Sequence, residues 1–271
     1  MNEAKVIKRT PTPATVQSLR DDFSRLGVTP GMIILLHSSL SALGWVCGGP
    51  VAVILALENL LGPTGTLVMP THSGDLSDPA EWQNPPVPEA WWETIRQTMP
   101  AYDPDLTPTR GVGTIPECFR KQPTVLRSAH PQVSFAAWGV YAAKIVKGHS
   151  LDFGLGDHSP LAKIYELGGY ILLLGVGHDS NTSLHLAEYR ADYPGKQVVK
   201  NGAPVMIKNR RVWQELQDIK LDDSDFEAIG ADFSQAESLV RHGHIACAKA
   251  QLFPQPALVD YAVVWIERNR K

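Results

Sequence analysis

The chain contains little cysteine. Three thiols, Cys47, Cys118 and Cys247, are spread over 271 residues. An odd, scattered set like this forms neither a disulfide framework nor a paired-cysteine metal motif. They are expected as reduced thiols packed like small hydrophobes. Long apolar runs are also missing: those present, such as Tyr170 to Val176, fall far short of the ~18 residues of a membrane span. Met1 to Pro13 is polar and basic, so no secretory signal is expected. Charge of one sign is absent too. With 25 basic and 28 acidic residues the formal net charge is −3, which leaves no domain-wide basic footprint for nucleic acid. These absences exclude membrane and nucleic-acid partners and point to a soluble, cytoplasmic globular protein.

What is present is apolar residue in quantity, 44% of the chain. A chain of this length buries roughly 75% of its unfolded surface and needs no staples. Helical spacing of Leu19, Phe23 and Leu26, closed by Gly27, predicts a helix over 15–27. Met32–His37 and Thr66–Met69 read as buried strands, each ending in polar residues, with a helix Val51–Leu61 between them. Further helices are expected at Gly113–Lys121, Val140–Gly148 and from about Asn181 to Ala191, and strands at Ser134–Trp138 and Tyr170–Val176. A hairpin turning at Asn201-Gly202, a helix Ser234–Val240 and a last helix or strand at Ala257–Arg268 complete the reading. Strands alternating with helices through short glycine turns predict an α/β fold. We expect one three-layer domain over 1–271, its central sheet mostly parallel or mixed, with the site at the strand C-terminal ends.

Residues 73–108 interrupt this rhythm. The segment holds seven prolines, Trp82, Trp91, Trp92 and Tyr102, and seven acidic residues against Arg96 alone. A long irregular aromatic segment reads as a lid or binding loop rather than disorder. The sign then reverses over 110–127, where Arg110, Arg120, Lys121 and Arg127 oppose only Glu117. A second acidic stretch, Leu221–Asp232, carries five carboxylates and no base. Solvated faces give such runs, and so do ligand sites of opposite charge.

The segment Gly175-Val176-Gly177-His178-Asp179-Ser180-Asn181-Thr182-Ser183-Leu184-His185-Leu186-Ala187-Glu188 carries the most chemistry. Asp179, Ser180 or Asn181 is placed to cap a helix. On that helix Asn181, His185 and Glu188 would share a face. A histidine beside a carboxylate is a general base near neutral pH, and equally an ordinary surface pair. His178, Asp179, His185 and Glu188 suggest a metal hydrolase only weakly, since no HEXXH and no further ligand spacing occur. No metal is expected. His37-Ser38-Ser39 at a strand end is either a capped turn or a cradle of hydroxyls and backbone; neither serine lies in a GxSxG elbow. His242 and His244 are expected on a solvated face.

His37-Ser38-Ser39-Leu40, Leu67-Val68-Met69-Pro70-Thr71, Thr107-Pro108-Thr109-Arg110-Gly111, Arg127-Ser128-Ala129-His130-Pro131 and the Gly175–Glu188 segment occur in this order. Together they resemble the aminoglycoside 3-N-acetyltransferase family, which is distinct from the GNAT acetyltransferases. The resemblance implies transfer of acetyl from acetyl-CoA to the 3-amino group of a 2-deoxystreptamine antibiotic, and hence resistance. It implies His185 as the catalytic base, with Glu188 or Asp179 orienting it. His37, Ser38, Ser39, Leu40, Thr109, Arg110, Gly111 and Ser128 are then candidates for acetyl-CoA. Asp75, Asn181, Thr182, Asp222 and Asp223 are candidates for the aminoglycoside. Charge fits both ligands, acidic segments facing the polycation and the basic 110–127 stretch facing the CoA phosphates. The alternative is a family member that acetylates a different small-molecule amine; a sequestering protein without turnover is a further possibility. Either a monomer or a homodimer is expected.

Overall fold

Alternation within three short apolar runs decides where the core lies. In β1 (Ile33–Ser38), Ile34 and Leu36 enter one hydrophobic cluster while Ile33 and Leu35 enter another. In β2 (Thr66–Pro70), Leu67 and Met69 oppose Val68, and in the Tyr170–Leu174 strand Leu172 and Leu174 oppose Ile171 and Leu173. Side chains two residues apart share a face, so each strand feeds two cores, one on each side of a sheet buried on both faces.

The computed structural model describes residues 3–271. Helices α1 (Glu3–Arg9) and α2 (Val16–Leu26) precede β1, and α3 (Gly49–Leu61) connects it to β2. Thr15 and Ser18 form a capping box at the start of α2, and Gly27, at φ 106°, ends it in the left-handed region. Short 3₁₀ turns and α4 (Trp92–Thr98) follow in the proline-rich segment. Then come α5 (Thr114–Phe119), β3 (Leu126–Arg127), β4 (Phe135–Gly139), α6 (Ala142–Val146), α7 (Pro160–Glu166), β5 (Tyr170–Leu174) and α8 (Ser183–Arg190). The chain continues through β6 (Val198–Ile207), β7 (Arg210–Ile219), α9 (Phe226–Ala236), β8 (Arg241–Ile245), β9 (Ala248–Pro254) and α10 (Gln255–Asn269).

Seven strands form one mixed sheet in the order β3-β4-β2-β1-β5-β9-β8. Only β1 pairs in parallel, with β2 on one side and β5 on the other; the outer strands add antiparallel. The α/β fold with a mixed sheet flanked by helices is therefore as expected. β6 and β7 stand apart as a two-stranded ribbon.

Several local expectations are corrected. The hairpin turns at Lys208-Asn209, both at positive φ, while Asn201 and Gly202 lie mid-strand opposite Leu216 and Glu215. Gly202 is used there because the Trp213 indole lies within 2.6 Å of where a Cβ would sit. The late helix is α9, which starts inside the acidic stretch: Phe226, Ile229 and Phe233 provide its buried stripe. β8 and β9 had no periodic signature in the sequence. Cys47 and Cys247 are exposed rather than packed, and Cys118 is half-buried. His242 and His244 are exposed on β8, as expected.

Candidate active site

Because β2, β1 and β5 run parallel, their carboxyl ends open on one edge of the sheet. The Ser39 N–H donates to the Leu174 carbonyl at 2.9 Å, tying the end of β1 to the end of β5. A cleft of about 780 Å³ opens there, lined by His37, Ser38, Ser39 and Leu40 after β1, by His72 after β2, by Gly111, and by Asp179 and Thr182 beyond β5. Four polar atoms of its wall, His37 Nε2, Ser38 Oγ, His72 Nε2 and Thr182 Oγ1, are buried without a hydrogen-bond partner. Unpaired buried polar groups are costly, and their concentration in one cleft suits a polar ligand.

Next to this cleft, α8 presents His185 and Glu188 one turn apart. Its first turn is capped by Asn181, whose Oδ1 accepts the Ser183 N–H at 3.2 Å. His185 Nδ1 lies 2.5 Å from Glu188 Oε2. A carboxylate only accepts, so Nδ1 carries a proton, and in the neutral ring the lone pair is then on Nε2. Glu188 is fully buried, and its other oxygen accepts from the Asp222 N–H at 3.0 Å and from Arg270 Nη1 at 2.5 Å. The edge of the His185 ring meets Phe226, with centroids 4.8 Å apart. Asp218 lies near His185 and accepts a hydrogen bond from the Tyr189 hydroxyl. Burial raises the Asp218 pKa, and this carboxylate had no distinguishing motif in the sequence.

The other histidines around the site are kept neutral. Burial pushes His37 down to about 3, with His178 adding to the effect. Burial, then the nearby His185 and His37, bring His72 to about 3. His149 is lowered to about 3 and His130 to about 4, again chiefly by burial. Both are built into the scaffold: His130 Nδ1 accepts the N–H groups of Gln132 and Val133, and His149 Nε2 donates to the Gly154 carbonyl at 2.6 Å. Among the described residues no group of three or more His, Cys, Asp or Glu is arranged to hold a metal.

The structure thus gathers His37, Ser38, Ser39, Leu40, Gly111, Asp179 and Thr182 around the cleft, and His185, Glu188 and the Asp222 backbone beside it. Other candidates lie elsewhere. Glu188, not Asp179, holds His185; the Asp179 N–H donates to Glu227 instead. Asn181 is 1% exposed and caps α8 from outside the helix, so it is not part of a helical face with His185. Ser128 is buried, accepting the Phe135 N–H and bonding His149 Nδ1, both at 2.9 Å. Thr109 gives its N–H and hydroxyl to Glu117. Asp75 pairs with Arg110 at 2.6 Å, and Asp223 is exposed.

The charge blocks face each other more than a ligand. Arg120 binds Glu117 and the Asp105 carbonyl, and Arg127 binds the carbonyls of Thr71, Pro104 and Thr107. Lys121 also reaches Glu117. Burial pushes the Glu117 carboxyl up, but hydrogen bonds from Arg120, Lys121 and Thr109 outweigh it and hold it well below the usual range. In the second acidic stretch, Asp225 clasps Arg270, Glu227 accepts from Asp179 and Asp232 accepts from Trp265.

Comparison with known proteins settles the kinship. The profile of the aminoglycoside 3-N-acetyltransferase family matches residues 35–267. The chain belongs to this family. Its relatives are named aminoglycoside N(3)-acetyltransferases, and acetyltransferases are acyltransferases. A Bacillus subtilis relative, the SPbeta prophage-derived aminoglycoside N(3')-acetyltransferase-like protein YokD, is 47% identical over 98% of this chain and 97% of its own. Its crystal structure superposes with a TM-score of 0.95, at 46% identity and 98% coverage of both chains. Aminoglycoside N(3)-acetyltransferase VII of Streptomyces paromomycinus is 36% identical, over 99% of this chain and 97% of its own. The structure of AAC-IIIb, described as a binary complex with CoASH, gives a TM-score of 0.85 at 32% identity, covering 96% of this chain and 98% of that one.

Proposed function

We propose that this family member transfers acetyl from acetyl-CoA to the 3-amino group of the 2-deoxystreptamine ring of aminoglycosides, with His185 as general base. The single observation that carries this reading is the 2.5 Å contact between His185 Nδ1 and the buried Glu188 carboxylate. It fixes the tautomer that leaves Nε2 free to take a proton. The amine attacks the thioester carbonyl, an amide C–N bond forms, and the C–S bond breaks. His185 takes the proton from the attacking nitrogen and, as the imidazolium, gives it to the sulfur, so that CoA leaves as the thiol. No covalent enzyme intermediate is required.

The cleft beside the pair fits the pantetheine arm and thioester of acetyl-CoA. Its wall offers Ser38, His72 and Thr182 polar atoms with no protein partner, which suit the amides and carbonyl of such a chain. Thr182, one turn before His185, is the side chain we assign to the developing oxyanion. Ser183 is not assigned this role: it is fully buried, does not line the cleft, and packs its hydroxyl against Gln255. The polycation is assigned to the carboxylates nearest His185 and Glu188, Asp218 and Asp222. Support for CoA comes also from the CoASH named in the AAC-IIIb structure, and for the acceptor from the names of the relatives. Thiol release followed with a chromogenic reagent, on adding kanamycin- and gentamicin-like compounds to protein and acetyl-CoA, tests the reaction. No release with any aminoglycoside, but release with another amine, would move the assignment to that acceptor.

A further inference from the structure

Beyond the end of the family match at residue 267, Arg270 makes four hydrogen bonds beside the His185–Glu188 pair. It is the residue that ends α10, and its side chain turns back onto the loop after β7. Nη1 meets Glu188 Oε1 at 2.5 Å; Nε and Nη2 grip both oxygens of Asp225 at 2.7 and 2.6 Å; Nη2 also donates to the Asp222 carbonyl at 2.7 Å. Its guanidinium lies 5.3 Å from the Tyr193 ring centroid. Glu188 is therefore held at both oxygens, by His185 on one and by Arg270 with the Asp222 N–H on the other.

We propose that Arg270 is a positioning residue for catalysis, setting the orientation of Glu188 and through it the basicity and direction of the His185 ring. This inference rests on His185 being the base. A buried carboxylate with only a histidine beside it would rotate or take up a proton; a planar guanidinium that bridges it to Asp225 prevents both. Arginine is suited to this because it spans Glu188, Asp225 and a carbonyl at once, which a lysine ammonium cannot match in geometry. The same clasp fixes the 222–225 loop, and so ties the acidic side of the site to the base. No contact of Arg270 with a substrate is required.

Arg270→Ala, Arg270→Lys and His185→Ala, each checked for folding by circular dichroism and thermal melting, separate the possibilities. We expect Arg270→Ala to lower kcat by about 10- to 100-fold, the scale of small displacements of a reacting group. KM for acetyl-CoA should stay within about twofold, because the residue lies away from the cleft assigned to it. With its cation gone, Glu188 should favour the imidazolium, so the acidic limb of the kcat/KM pH profile should move to higher pH. Millimolar methylguanidinium should restore part of the lost rate in Arg270→Ala and none in His185→Ala. Arg270→Lys, which keeps the charge, should hold the limb in place while losing part of kcat. A folded Arg270→Ala with kcat within twofold and an unmoved limb overturns the proposal. So does loss of rate in proportion to lost folded protein, with no shift and no rescue. Should Arg270→Ala fail to fold, Arg270→Lys decides: unchanged kcat in it contradicts the need for a bridging guanidinium. An active His185→Ala would instead remove the base assignment itself.

Discussion

His185 and Glu188 meet at 2.5 Å on one helix, and the carboxylate has no exposure to water. A pair three residues apart on a surface helix would be worth a few tenths of a kcal/mol and would be freely exchanged for water. Here the partner acid is enclosed and further bound by Asp222 and Arg270. The pair is built as a unit, and its consequence for rate is direct. Glu188→Gln keeps size but offers an amide that cannot enforce the Nδ1–H tautomer. Its kcat should fall by about 10²- to 10⁴-fold, by analogy with the acid of other histidine bases, with KM for acetyl-CoA little changed. Steady-state kinetics check this; a kcat within threefold of the parent would contradict it.

Thr182→Val tests the oxyanion assignment. The hydroxyl is buried in the cleft wall without a partner, so its removal should not destabilise the fold. We expect unchanged or slightly higher thermal stability and a loss of kcat of about 10-fold or more. Unaltered kcat in a folded variant would assign the oxyanion to backbone donors.

How much of this was legible in sequence depends on which signal each residue carried. The two-sided strands announced themselves as continuous apolar runs, and the motif after β5 held both members of the pair. Ser128 illustrates the opposite case. It belongs to one of the motifs that carry the family resemblance, yet it faces inward, joining the Phe135 N–H to His149; such a motif does not distinguish a ligand contact from a scaffold contact. The charge blocks misled for a similar reason. Runs of sign are visible in a sequence, but their partners are not, and Arg110, Arg120 and Arg127 turned out to hold the 73–108 segment itself through Asp75, Asp105, Pro104 and Thr107. Asp218 and Arg270 could not have been found by spacing, since they reach the site from β7 and from beyond α10.

Ser128→Ala should accordingly cost stability rather than affinity. Leaving the buried Phe135 N–H and His149 Nδ1 without their shared partner is worth about 1–3 kcal/mol. Denaturant unfolding should show that loss, while KM for acetyl-CoA stays within twofold. A large rise in KM with unchanged stability would return Ser128 to the list of cofactor contacts.

Stability should depend on pH through the buried imidazoles. His37 and His149 at about 3 and His130 at about 4 stay neutral in the folded chain long after their unfolded counterparts, near 6.5, have bound a proton. Their contribution is fully present above pH ~6.5 and is lost as pH falls from there toward 3–4, on the order of 1 kcal/mol per pH unit for each. Below its usual range, the lowered carboxyl of Glu117 acts in the same sense at lower pH, and the raised Glu58 and Asp218 act against it. Urea midpoints should therefore drop from pH 7 to pH 5. A flat profile over that interval would contradict neutral burial.

The most direct test follows acetyl-CoA-dependent acetylation of an aminoglycoside panel by the parent and by His185→Ala, with the product position read by NMR. The parent should release CoA and place the acetyl group on the 3-nitrogen of 2-deoxystreptamine, while the variant folds, binds CoA and turns over at least 10²-fold more slowly. Acetylation at another position, or parent-like turnover in His185→Ala, would contradict the assignment of the His185–Glu188 pair as the base for 3-N-acetylation.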